Sequence, residues 1–185
     1  MGKIHNYTSF IKEAAFVNNV TLGFYQVPIN VTKELLTIIY LDIDDSIKVK
    51  KVNKFLRDNK GNLVYLYHGT SSDVNLEDDG LLTTKKSTKK SIQSEVGYVY
   101  LSAYEDSAKT FGRIGSPFTD TKVVKIEIAI SNLKPDKDQL FNKRRAIGNL
   151  VGITLGDSLV YGSGFRVKGN IPNYMIKDTK LSKRS

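Results

Sequence analysis

Leu63-Val64-Tyr65-Leu66-Tyr67-His68-Gly69-Thr70 decides how this chain is read. Its first five residues are aliphatic or aromatic and predict a buried strand. It stops at a histidine and a glycine, residue types that place a polar ring and a close-approach backbone at a strand end. Three further runs look like strands: Tyr98–Leu101, Val123–Ile130 and Gly164–Lys168. A helix is expected at Glu105–Phe111, opened by Ser102. The order is α+β, with strands outnumbering helices.

Upstream the pattern is helical. A helix is expected to begin at Thr32, where Thr-Lys-Glu-Leu offers a capping side chain followed by Leu35, Leu36, Ile39 and Ile43. Ile47–Arg57 is read as a second helix, basic on its exposed side. Residues 7–19 read as a third, with Phe10, Ile11, Ala14 and Val17 at spacings of three and four. Asn18–Asn30, with Gly23 and Pro28, reads as a linker. Lys85–Lys90 reads as a loop that could serve as a phosphate-contacting flap. Leu140–Gly156 carries three glycines and has no clear period.

Composition narrows the chemistry. The 185 residues suffice for one domain and an appendage. With no cysteine and two histidines, disulfides and thiolate metal sites are excluded and a zinc site is not expected. The net charge of +9 suits a polyanionic neighbour such as packaged DNA. The longest apolar stretch, around Leu35–Ile43, is too short and too polar for a membrane span, and the first residues form neither a secretory signal nor a myristoylation site.

Taken together, His68-Gly69-Thr70, the Asp79-Gly80-Leu81 loop end, Tyr100-Leu101-Ser102 and Ala108-x-x-Phe111 resemble the ADP-ribosyltransferase superfamily, in its His-Tyr branch and phage type. The resemblance covers about residues 62–177. It implies a split antiparallel β-sheet core, preceded here by a helical N-terminal prefix, and NAD as the substrate cofactor. It further implies that His68 and Tyr100 are the catalytic residues and that His68, Gly69, Thr70, Tyr100, Ser102 and Phe111 bind NAD. In that reading His68 bonds the adenosine ribose, Gly69 holds the carboxamide through its backbone, and Tyr100 and Phe111 stack on the nicotinamide. Transfer would pass through a ribosyl cation as nicotinamide leaves, in a dry, preorganised pocket.

One element departs from the family. Ser163-Gly164-Phe165-Arg166, where the His-Tyr-Glu branch carries a glutamate, has none. Glu95 and Glu127 are the nearest carboxylates by type, and alternation puts Glu127 on a polar face beside Lys125. Without a general base, the expected acceptor is an acidic side chain, or there is no transfer at all. RNA 2′-phosphotransferases share the fold and a similar layout, but Tyr100 replaces their second histidine and Arg113, Arg144, Arg145 and Arg166 do not match their arginines. Gly156-Asp157-Ser158-Leu159 spells a serine-hydrolase motif but has no later histidine, and is read as turn residues.

Tyr7-Thr8-Ser9-Phe10-Ile11-Lys12-Glu13-Ala14 resembles the capsid-targeting peptide of internal head proteins in T-even-type phages, Tyr-x-x-Phe-Ile-x-Glu-Ala. The resemblance implies cleavage between Glu13 and Ala14, packaging in the virion interior and injection into the host cytoplasm; without it a cytoplasmic protein is expected. Residues 1–13 would be a propeptide, 14–61 a linker and helical prefix, and 62–185 the ADP-ribosyltransferase-like domain. The implied function is mono-ADP-ribosylation of a host bacterial protein, with no membrane and no metal as partner. The alternatives are an inactive protein of the same fold that binds or inhibits a host defence system, and an RNA 2′-phosphotransferase-like enzyme.

Overall fold

The computed structural model describes residues 28–83, 94–141 and 152–183. The first helix and cleavage site expected near the N-terminus, the Lys85–Lys90 loop and most of Leu140–Gly156 lie outside them.

Two helices lead in. α1 spans Pro28–Ile39 and starts earlier than the sequence predicts, with Pro28 in its first turn, where a missing N–H costs nothing. Thr32 is therefore not the cap. Its hydroxyl donates to the Pro28 carbonyl at 2.8 Å and accepts from the Tyr65 amide at 2.9 Å, tying α1 to the sheet. α2, Asp45–Asp58, is capped by Asp44, which accepts from the Ser46 amide at 2.7 Å.

β1 runs Leu63–Ser71 and thus continues through His68-Gly69-Thr70. A short helix, α3 (Leu76–Asp79), is capped by Asn75. Then follow β2 (Tyr98–Ser102), α4 (Glu105–Gly115), β3 (Thr121–Ala129), β4 (Leu133–Pro135), α5 (Lys137–Phe141), α6 (Leu155–Gly162), β5 (Gly164–Lys168) and β6 (Ile176–Ser182). The short β4 and the polar β6 carry no strong apolar signal and were not expected. α4 opens at Tyr104 and not Ser102, whose hydroxyl instead accepts from the Tyr104 amide at 3.0 Å.

The fold is mixed α and β, with one six-stranded sheet ordered β4-β5-β2-β1-β3-β6 and antiparallel at each pairing. One face buries Val64, Leu66, Val99, Leu101, Val124, Ile126, Ile128 and Phe165 against Val31 and Leu35 of α1, Val52 and Leu56 of α2 and Leu159 of α6. The helical prefix and the sheet share this core. α6 is the finding that corrects the Gly156-Asp157-Ser158-Leu159 reading: these are helix residues, opened by a capping box of Thr154 and Asp157. Ser158 is fully buried and spends its hydroxyl on the Gly164 carbonyl and the Asp136 amide. No helix among the described residues is long and apolar enough to cross a membrane.

α4 covers the opposite face. It crosses β1 where two glycines meet: a Cβ on Gly69 would lie 1.8 Å from the Ala108 carbonyl oxygen, and one on Gly112 would lie 2.5 Å from Thr121 Cγ2 and 2.9 Å from the Gly69 backbone. Backbone contact this close admits no side chain on either element.

Candidate functional site

β1 is registered with β3 over nine pairs, Leu63↔Ala129 to Ser71↔Thr121, but with β2 at one, Tyr67↔Ser102. The sheet therefore opens between its two central strands just beyond Tyr67. His68 stands at that opening and bridges it: its Nδ1 lies 2.7 Å from the Tyr100 carbonyl oxygen. A carbonyl can only accept, so Nδ1 carries the proton and Nε2 keeps a free lone pair. Burial pushes the imidazole below its ordinary pKa, against the smaller opposing effect of this hydrogen bond. His68 is thus neutral near pH 7, a fixed ring with an acceptor nitrogen.

Cross-strand partners share a sheet face and successive residues alternate. Tyr67↔Ser102 and Tyr100↔Arg166 accordingly put Tyr67, Gly69, Tyr100, Ser102 and Arg166 on the α4 face. His68 belongs by alternation to the face of Leu66 and Leu101, and reaches Tyr100 by turning into the seam. Tyr100 is where the two sides join, since its carbonyl holds His68 and its phenol reaches the opposite way.

That phenol enters a polar cluster. The Tyr100 hydroxyl donates a very short hydrogen bond to Asp138 Oδ2 and accepts from the Glu95 amide at 2.6 Å, and the same amide lies 3.0 Å from Asp138 Oδ2. Burial first, and then the Asp138 carboxylate as hydrogen-bond acceptor and as charge, push the phenol well above its ordinary range, so Tyr100 stays protonated. Across β5, the buried Arg166 side chain donates from Nη1 to Glu95 Oε2 at 2.5 Å and lies 3.9 Å from Asp138 Oδ2. Its guanidinium sits 4.1 Å over the Tyr98 ring. Burial, the largest single effect, would lower Arg166, but the hydrogen bonds to Glu95 and Tyr100 and the charge of Glu95 together outweigh it and keep the guanidinium charged. Arg166 Nε is buried without a partner.

Asp136 borders the cluster. It is fully buried, accepts the Asp138 and Gln139 amides through Oδ1, leaves Oδ2 without a partner, and is raised to about 6 chiefly by burial. Its Oδ1 bonds explain its place at the start of α5.

The other residues singled out from the sequence fall as follows. Gly69 is demanded by the α4 crossing, whatever else its backbone does. Thr70 lies opposite Lys122 in the β1–β3 ladder. The Ser102 hydroxyl is taken up by the Ser163 carbonyl at 3.1 Å and the Tyr104 amide. Phe111 is 44% exposed on α4, while Ala108 packs on β1, and the described aromatic pair is Tyr40 with Tyr104, centroids 6.1 Å apart, in place of Tyr100 with Phe111. Glu127 is opposite Tyr65, 3.2 Å from Lys177, on the far wing of the sheet. Glu95, by contrast, is beside Tyr100.

The sequence gives no sign of Asp138, offers Asp136 only as the end of a core strand, and offers Arg166 only as a poor match to another family's arginines. Phe165-Arg166-Val167 held the signal: an arginine inside a buried apolar strand needs a carboxylate, and none is adjacent in sequence. Neither a protein-family model nor a curated protein sequence matches the chain.

Proposed function

We propose that the chain is an NAD-dependent mono-ADP-ribosyltransferase, with His68 and Tyr100 at its centre. The observation that carries the reading is the opening of the sheet between β1 and β2, bridged by the His68–Tyr100 hydrogen bond. A ligand entering that seam meets a neutral imidazole with its Nε2 lone pair free, suited to accepting a ribose hydroxyl proton. It also meets backbone groups of β1 that the β1–β2 ladder leaves unregistered beyond Tyr67. The α4 face beside it carries the Tyr100 ring and the half-exposed Phe111, apolar surface for a flat heterocycle. Departure of nicotinamide leaves a ribosyl cation, which such a preorganised polar and aromatic surface stabilises.

The target we propose is a host bacterial protein, reached by packaging in a phage head and injection. This part rests on the resemblance of Tyr7–Ala14 and on the net charge of +9, which suits residence beside packaged DNA. A second reading, a catalytically silent NAD binder on the same fold, is favoured by one feature, the arginine that faces Tyr100 from β5.

The decisive experiment measures NAD affinity and nicotinamide release, with and without bacterial lysate. The enzyme reading expects both binding and release. The silent reading expects binding alone. His68→Ala is expected to abolish binding in a folded protein, and unchanged affinity in that variant overturns both.

A further inference from the structure

α2 carries five cations against two carboxylates, a surplus of three within 14 residues of a chain whose whole surplus is nine. Helix residues step by about 100°, and packing sorts them. Val52 and Leu56 are buried in the core, while Lys50, Lys51, Lys54 and Arg57 are exposed. Lys54 lies opposite the middle of the buried side, Lys50 and Arg57 lie to one side of it, and Lys51 lies to the other. The four make one band about 120° wide. The side chains of Lys54 and Arg57 are 71% and 74% exposed.

Helix stability does not call for such a band. Lys50 with Lys54, Lys51 with Lys54 and Lys54 with Arg57 stand three or four residues apart, where like charges repel. The helix dipole accounts for Arg57 alone, in the last turn. Asp58 answers Lys54 at 2.5 Å and Arg57 at 3.7 Å, but among the described residues no ion pair holds Lys50 or Lys51. Other lysines are matched: Lys48, at the buried margin of α2, by Asp45, and Lys177 and Lys180 of β6 by Glu127 and Glu105.

The geometry points to a docking surface for duplex DNA along α2, made by Lys50, Lys51, Lys54 and Arg57 and holding the duplex through its phosphates. Lys50 to Arg57 covers about 10 Å of helix axis, the length over which one strand places about three phosphates. With cations on both margins, the band suits a helix lying between the two phosphate rims of a groove. The B-DNA major groove, about 12 Å wide, admits a helix, whereas the corresponding groove of duplex RNA is deep and narrow. Single strands are gripped by stacking bases on aromatic rings, and the exposed face of α2 has none. Phosphate contacts position without reading sequence, so the consequence is retention on DNA of any sequence, governed by salt. α2 packs on the sheet face opposite α4, so a bound duplex leaves the α4 face clear, and the inference is independent of the NAD reading.

The test is fluorescence anisotropy of the full chain with a short labelled DNA duplex, its single strand and the matching RNA duplex, across salt concentrations. Wild type is expected to favour the DNA duplex and to lose about 100-fold in affinity between about 50 and 200 mM salt, a log–log slope of about −3.6 for four phosphate contacts. Lys50→Ala with Lys51→Ala is expected to bind at least about tenfold more weakly at the lower salt and to bring the slope to about −1.8. Lys177→Ala with Lys180→Ala removes the same net charge from β6, and is expected to stay within about threefold with the slope kept. Thermal melts check that both pairs fold. Equal losses in the two pairs would assign the binding to bulk charge and overturn the docking surface. Equal or tighter binding of the single strand or the RNA duplex overturns the choice of duplex DNA, and no binding by wild type at the lower salt overturns the whole inference.

Discussion

Along β3, the strand Leu63–Ser71 keeps register for nine residues, one face of the pair buried and apolar and the other crossed by α4 at Gly69. Along β2 the same strand is registered at Tyr67 alone, and the next residue fills the gap with an imidazole. The first seam is held by backbone hydrogen bonds, a buried apolar face and the Gly69–Gly112 crossing. The second is bridged by a side chain, His68 to the Tyr100 carbonyl, and on the other side of β2 stand the bonds of Tyr100 to Glu95 and Asp138 and of Arg166 to Glu95. Backbone ladders give stability with little chemistry, because their groups are consumed. Side-chain contacts leave polar atoms unspent: His68 Nε2 at the seam, Arg166 Nε in the cluster on the other side of β2, and Asp136 Oδ2 at that cluster's border.

The comparison breaks first at Gly69. If the tight seam depends on the helix crossing, Gly69→Ala should destabilise by about 3 kcal/mol or more, since backbone atoms of α4 must move. Gly61→Ala, with open space around its Cβ, should stay within about 0.5 kcal/mol. Equal urea midpoints for the two variants would remove the structural role of Gly69 and leave it to a ligand.

The polar seam should reveal itself through pH. Asp136 titrates near 6 when folded against an ordinary 3.8, so the folded protein takes up that proton first and its stability rises as pH falls from about 6 to about 4. His68 has the opposite sign. Its folded pKa lies below the ordinary 6.5, the unfolded chain takes up the proton first, and stability is lost as pH falls below about 6.5. Asp136→Asn keeps the Oδ1 bonds, and is expected to gain about 1–3 kcal/mol at pH 8 and lose the rise on acidification. His68→Gln is expected to lose the acid-side fall. Urea midpoints between pH 4 and 8 check both, and parallel profiles for wild type and Asp136→Asn would contradict the burial of its unpartnered oxygen.

Tyr100 offers a finer cut. Tyr100→Phe removes the hydroxyl that joins Glu95 and Asp138 but leaves the carbonyl that holds His68, so a loss of about 1 kcal/mol is expected with the His68 titration unmoved. A shifted His68 in an NMR titration would mean that the two halves of the site are one mechanical unit. The smallest effect belongs to Glu127, whose partner is Lys177 on the edge strand: Glu127→Gln should cost under about 1 kcal/mol and leave any transfer within about tenfold. A collapse of activity there would move the chemistry to the β3–β6 side of the sheet.

Much of the frame was legible from local pattern. Leu63–Tyr67, Tyr98–Leu101 and Gly164–Lys168 announce themselves through β-branched and aromatic runs, and Ile47–Arg57 through its period. β6 was missed because its residues, Ile176–Ser182, are mostly polar, as an exposed edge strand requires. Thr32 was misjudged as a cap because the sequence does not reveal that Pro28 already starts the helix. Glu95 and Glu127 were equal as letters, and only register and strand order separated them.

By itself the sequence determined the α+β class and the central strands, because periodicity and residue type are local properties. Tertiary structure decided what those residues face. Which strands adjoin, where the ladder opens, and that a buried Arg166 must find its counter-charge 71 positions away at Glu95 follow from closing one core around six strands. Contacts of that kind are fixed by the free energy of burying the whole apolar face, to which no short stretch of sequence contributes enough to be read alone.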